Sequence, residues 1–63
     1  MTVYLVKHHA SDFWAATNRD QPTHTPVKNK AFRFGTIALA EKCRMKMPVP
    51  IAWIIEEAQF EDG

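Results

Sequence analysis

The side chains able to do chemistry are few. Three histidines (His8, His9, His24) and Asp12 are the candidate metal ligands, and Cys43 beside a histidine is a candidate nucleophile. His8 and His9 are neighbours in a segment that reads as strand. Such neighbours point to opposite faces and do not converge on one ion. No pair of histidines has helical spacing, and there is no second cysteine. We expect no metal centre and no cofactor. Cys43 falls on the apolar side of a helical pattern, where a free thiol acts as a small hydrophobe. Glu56-Glu57 is the one adjacent carboxylate pair, and on a strand its side chains diverge. Gly35 and the terminal Gly63 are the only glycines, so no phosphate-cradling loop is encoded. A non-enzymatic role is expected.

The elements that position these residues must fit into 63 residues, enough for one domain spanning 1–63. A chain this short buries only about 60% of the surface that its unfolded form exposes. With 46% hydrophobic and 24% charged residues the composition is globular rather than disordered. No apolar run reaches the roughly 18–20 residues of a membrane helix, and the first residues do not read as a signal peptide. The expected location is the cytoplasm. The lone Cys43 rules out an intrachain disulfide. Efficient packing, a metal, self-association or a partner must supply what disulfides give other small domains.

Val3-Tyr4-Leu5-Val6-Lys7 is apolar on both alternating faces, as a central strand requires. A turn at His9-Ala10-Ser11-Asp12 leads to a second strand, Phe13-Trp14-Ala15-Ala16-Thr17. Residues 18–29, with Pro22 and Pro26, read as one long loop. Lys30-Ala31-Phe32-Arg33-Phe34 alternates and predicts a short strand with Phe32 and Phe34 on one face. Thr36 is the expected N-cap of a helix from Ile37 to Met47, stopped by Pro48 and Pro50. Ala40, Cys43 and Met47 form its apolar stripe. Ile51-Ala52-Trp53-Ile54-Ile55 predicts the last strand, with Ile51, Trp53 and Ile55 on one face. Residues 57–63 read as an acidic, fraying tail. The fold class is α+β: a small antiparallel sheet of three to four strands with one helix on one face, in the order ββ(β)αβ.

One helix covers one face of such a sheet. Tyr4, Val6, Trp14 or Phe13, and Ile54 are the candidates for the other. That face is either an interaction surface or a second small core under the long loop.

Charge is uneven. Residues 1–50 carry eight basic and three acidic groups, a net of +5, and residues 51–63 carry −4. The basic cluster Lys28, Lys30, Arg33, Lys42, Arg44 and Lys46 would meet an acidic partner or phosphates.

The aromatic strand Phe13-Trp14-Ala15, the segment ending in Phe34, the Thr36-capped Ala-Leu-Ala-Glu helix, the proline turn and the closing apolar strand together resemble a known pattern. It is that of very small αβ proteins made by phages and mobile elements: anti-CRISPR proteins and the RNA polymerase inhibitors of T7-like phages. The resemblance covers about residues 13–58. It implies an anti-defence inhibitor in the host bacterium's cytoplasm that occludes a host protein or ribonucleoprotein complex. The polymerase inhibitors carry basic residues on the closing strand, where this chain has Glu56-Glu57.

On this reading Tyr4, Trp14, Arg33 and Trp53 anchor a partner, while Lys28, Lys30, Lys42, Arg44 and Lys46 steer it. The alternative is a nucleic-acid-binding module in which Phe32 and Phe34 stack on bases beside the basic cluster. A third possibility, compatible with the inhibitor reading, is a homodimer through a sheet face or an edge strand.

Overall fold

The double-sided apolar alternation of the first residues makes β1 (Thr2–His8) the spine of the molecule. The computed structural model describes residues 1–60. After β1 come β2 (Trp14–Ala15), β3 (His24–Thr25), a 3-10 turn at Lys28–Lys30, the helix α1 (Ile37–Met45), a second 3-10 turn at Pro50–Ala52, and β4 (Trp53–Gln59). The sheet order is β3-β2-β1-β4 and every pairing is antiparallel. β1 and β4 pair along their whole length, from Thr2↔Gln59 to His8↔Trp53. The α+β class is the one the sequence predicts, with four strands where three to four were expected and one helix among the described residues.

Alternation along β1 feeds two cores. Val6 joins Ala15, Phe34, Ala40, Cys43 and Met47 beneath α1, with Tyr4, Trp53 and Ile55 packed against them. Val3 and Leu5 point the other way, into Trp14, Ala31 and Ala58, with Phe60 alongside. Each large side chain fully buried this way contributes about 1.5–3 kcal/mol. The second face is therefore a core under the chain's own Lys28–Ala31 segment. Of the candidates for that face, Tyr4 and Val6 belong to the helix side, Trp14 is buried, and Phe13 and Ile54 are exposed.

Three expected elements are relocated. Residues 30–34 are not a ladder strand. Phe32 N–H donates to the Ala15 carbonyl at 2.9 Å, and Phe34 exchanges both backbone bonds with Tyr4 as a single bridge. The third strand lies instead at His24–Thr25, inside the expected loop. It forms because Ala16 N–H reaches the Thr23 carbonyl at 2.7 Å, and the Thr17 hydroxyl accepts from Thr23 N–H at 3.0 Å. β4 starts two residues later than predicted and runs through Glu57, Ala58 and Gln59, which the tail reading had fraying. Residues 61–63 of that tail lie outside the described residues. Pro50 accounts for the late start: it opens a 3-10 turn, so Ile51 is turned out to solvent rather than sharing a face with Trp53 and Ile55.

Thr36 caps α1 as expected, its hydroxyl accepting from Leu39 N–H at 3.2 Å, a contact typically worth about 1 kcal/mol. The helix ends at Met45 rather than Met47 because its last bonds tighten: Lys46 N–H reaches the Cys43 carbonyl and Met47 N–H the Arg44 carbonyl. No helix among the described residues is long and apolar enough to cross a membrane.

Cys43 is fully buried, and its thiol donates to the Thr17 carbonyl at 3.6 Å. Burial pushes the thiol above its ordinary value of 9.0, with nearby Lys46 opposing. Two results are expected. Thiol reagents should label Cys43 only as fast as the fold opens; labelling at the rate of a free thiol would contradict this burial. Stability should be full below the unfolded thiol's pKa. It should fall as pH rises beyond that, where the unfolded chain ionises and the folded one does not. Melting temperatures at about pH 7 and about pH 10 would read it.

Candidate functional site

An open cleft of about 1130 Å³ lies between the 20–24 segment and the 46–53 segment. Its walls include His8, Pro22, His24, Pro48, Val49 and Trp53. β1 and β4 set its floor, because register places His8 opposite Trp53. The His8 ring stands edge-on to the indole at 5.3 Å, and His24 on β3 lies 6.3 Å from it. Phe13 backs His24 at 5.2 Å.

His8 has a defined tautomer. Its Nδ1 accepts from Ala10 N–H at 3.2 Å and lies 3.1 Å from the Ser11 hydroxyl. A neutral ring therefore carries its proton on Nε2. His9 does not diverge from His8 as expected: the rings stack 5.1 Å apart, because β1 ends at His8 and the chain turns there. Among the described residues no three His, Cys, Asp or Glu side chains gather closely enough to hold a metal ion. The cleft offers flat aromatic and proline surfaces, the imidazole donors and Lys46 at its wall. Such a surface suits an apolar or aromatic side chain.

Beside the cleft stands an apolar prominence. Met45, Val49 and Ile51 are 61%, 54% and 86% exposed. Ile51 is held out by the turn whose Ala52 N–H reaches the Val49 carbonyl at 2.9 Å and whose Pro50 carbonyl accepts from Trp53 N–H. Arg44 ties this turn to α1, donating from Nη1 to the Pro50 carbonyl at 2.8 Å and from Nε to Glu41 at 2.8 Å. The bond to Arg44 holds the Glu41 carboxyl below its usual value, and Glu41 in turn raises the guanidinium's.

The nine residues expected to meet a partner separate. Trp53 and Lys46 line the cleft. Arg44 is the clamp beneath the prominence rather than a free steering charge. Lys42 is exposed on α1. Tyr4 is half-buried against the helix-side core. Trp14 is 7% exposed and lies in the second core, so it presents no contact surface. Lys28 pairs with Glu56 at 3.4 Å, and the Arg33 guanidinium sits 3.9 Å over the Phe60 ring. With Lys30 they belong to the segment that covers the far face of the sheet. The sheet thus divides the basic cluster, and three of its six members have internal partners.

Sequence reasoning did not group His8, His24 and Ile51 into one surface. Only the prolines flanking His24 and Ile51 hinted at rigid display. Comparison of the chain with protein-family models, curated proteins and solved structures finds no match.

Proposed function

We propose that the chain is a small non-enzymatic binding module that occludes a surface of a partner protein, using the Met45–Val49–Ile51 prominence and the adjoining cleft. One observation carries the reading. Ile51 is the most exposed large hydrophobic among the described residues, yet the backbone that carries it is held by a hydrogen-bonded turn and an arginine clamp. Presenting an apolar side chain to water gains the free protein nothing, whereas an anchor carried on a fixed backbone lowers the entropic cost of association. Lys46 at the wall of the adjoining cleft and Lys42, exposed on α1, would steer an acidic partner. The role fits the resemblance to small phage inhibitors: an anti-defence inhibitor or adaptor that covers a host protein complex in the bacterial cytoplasm.

The test is affinity capture of the tagged protein's partner from bacterial lysate, with and without nuclease, alongside the Ile51→Asp variant. Ile51→Asp should leave the melting temperature unchanged, as surface substitutions typically stay within about 0.5 kcal/mol. It should weaken the captured complex by roughly 30-fold or more, the effect of losing a hot-spot residue of about 2 kcal/mol. Capture equal to wild type would remove this surface from consideration. Loss of the catch with nuclease would favour the nucleic-acid reading.

A further inference from the structure

We propose that the free edge of β4 is a docking site for an extended, basic peptide segment of a partner protein, added antiparallel as a fifth strand. This goes beyond the Ile51 surface and does not depend on it.

Hydrogen-bond parity identifies the groups on offer. Met1 and Phe60 exchange both backbone bonds, at 2.7 and 3.0 Å, and His9 N–H reaches the Ala52 carbonyl at 2.9 Å. With the β1–β4 register, this assigns the even-numbered residues of β4 to the ladder with β1. The odd-numbered residues turn their amides and carbonyls the other way. Trp53 N–H is taken by the Pro50 turn. Ile55, Glu57 and Gln59 remain, on an edge with no neighbouring strand among the described residues. Edges like this are templates for strand addition.

The charge on the edge selects the occupant. Glu57 is exposed and has no ion-pair partner among the described residues, whereas Glu56 is engaged by Lys28 and Trp14. A second copy pairing antiparallel over all three free positions must centre on Glu57. That sets the two Glu57 side chains directly opposite each other, an unfavourable cross-strand pair. A strand with a lysine or arginine opposite Glu57 and an apolar residue opposite Ile55 turns the same position into an attraction. The edge thus disfavours self-pairing and favours a basic strand.

The experiment is backbone NMR of the full chain, titrated with a capped seven-residue threonine peptide. The peptide carries one lysine to face Glu57 and, two residues on, one valine to face Ile55. Amide exchange at Ile55, Glu57 and Gln59 should slow by about tenfold or more. A peptide with glutamate for the lysine, or with the lysine amide N-methylated, should give no such slowing. Glu57→Lys, at an exposed site, should reverse the preference in favour of the glutamate peptide. Unchanged edge amides up to the limit of peptide solubility would overturn the proposal. So would protection that grows with protein concentration alone, which would make the occupant a second copy, or shifts confined to the cleft.

Discussion

Phe34→Ala should unfold the protein or leave it on the edge of unfolding at room temperature. Phe34 is 2% exposed and is the largest of the fully buried side chains. It sits where β1, β2 and α1 converge, against Val6, Ala15, Ala40, Cys43 and Met47. Truncating a core phenylalanine typically costs about 3–5 kcal/mol, the lost transfer energy plus the cavity. A domain of this size has roughly 3–9 kcal/mol in total, at about 0.05–0.15 kcal/mol per residue. The loss therefore takes much or all of the margin. Circular dichroism across a urea titration would measure it. The matched control is Phe32→Ala. That ring leans on Phe34 at 4.7 Å but is 40% exposed, so the expected cost is about 1 kcal/mol or less. Equal costs at the two positions would contradict the burial assignment.

The same pair bears on function. The stacking platform expected from the sequence needs both rings open to solvent. With Phe34 in the core, only Phe32 is left of the expected platform. Lys28 and Arg33 beside it already face Glu56 and Phe60. This is why the protein-binding reading rests on Ile51 and not on the aromatics that the sequence brings forward first.

How far the sequence could be read follows from the range of the interactions involved. β1 was legible because its alternation is local and both faces are apolar. α1 was legible because Thr36, the Ala40–Cys43–Met47 stripe and Pro48 all lie within one short window. The two halves of the apolar alternation were equally visible, but which face α1 covers was not: Tyr4 and Trp14 exchange roles depending on where the chain returns. β3 has two residues and no periodicity to read. Glu56 lies where the sequence shows only a carboxylate pair leading into an acidic tail, yet it is held by Trp14 Nε1 at 3.0 Å and by Lys28, 42 and 28 residues away in sequence. The cleft combines the end of β1, the β2–β3 connection and the turn before β4. No window of the sequence contains those three together, so His8, His24 and Trp53 could not be grouped in advance.

Trp14→Ala should be the second most damaging substitution, and a series at this position should separate packing from hydrogen bonding. The indole fills the second core with Val3, Leu5, Ala31 and Ala58, and its N–H donates to Glu56. Truncation to alanine removes both and should cost about 3–5 kcal/mol. Trp14→Phe keeps most of the apolar bulk and removes the donor. Glu56 then retains only Lys28, whose side chain is 46% exposed, a pairing worth little in water. The expected cost of Trp14→Phe is about 1.5–3 kcal/mol, the range for a hydrogen bond to a charged group, with any packing loss added. Glu56→Ala removes the acceptor from the other side. If the bond fastens β4 to β2 across β1, the double variant should be less unstable than the two single costs predict, by more than about 0.5 kcal/mol. Additive costs would assign the whole effect to packing. A partner that lost affinity for Trp14→Phe in step with its stability, and no further, would confirm that this tryptophan supports the binding surface from within and does not form part of it.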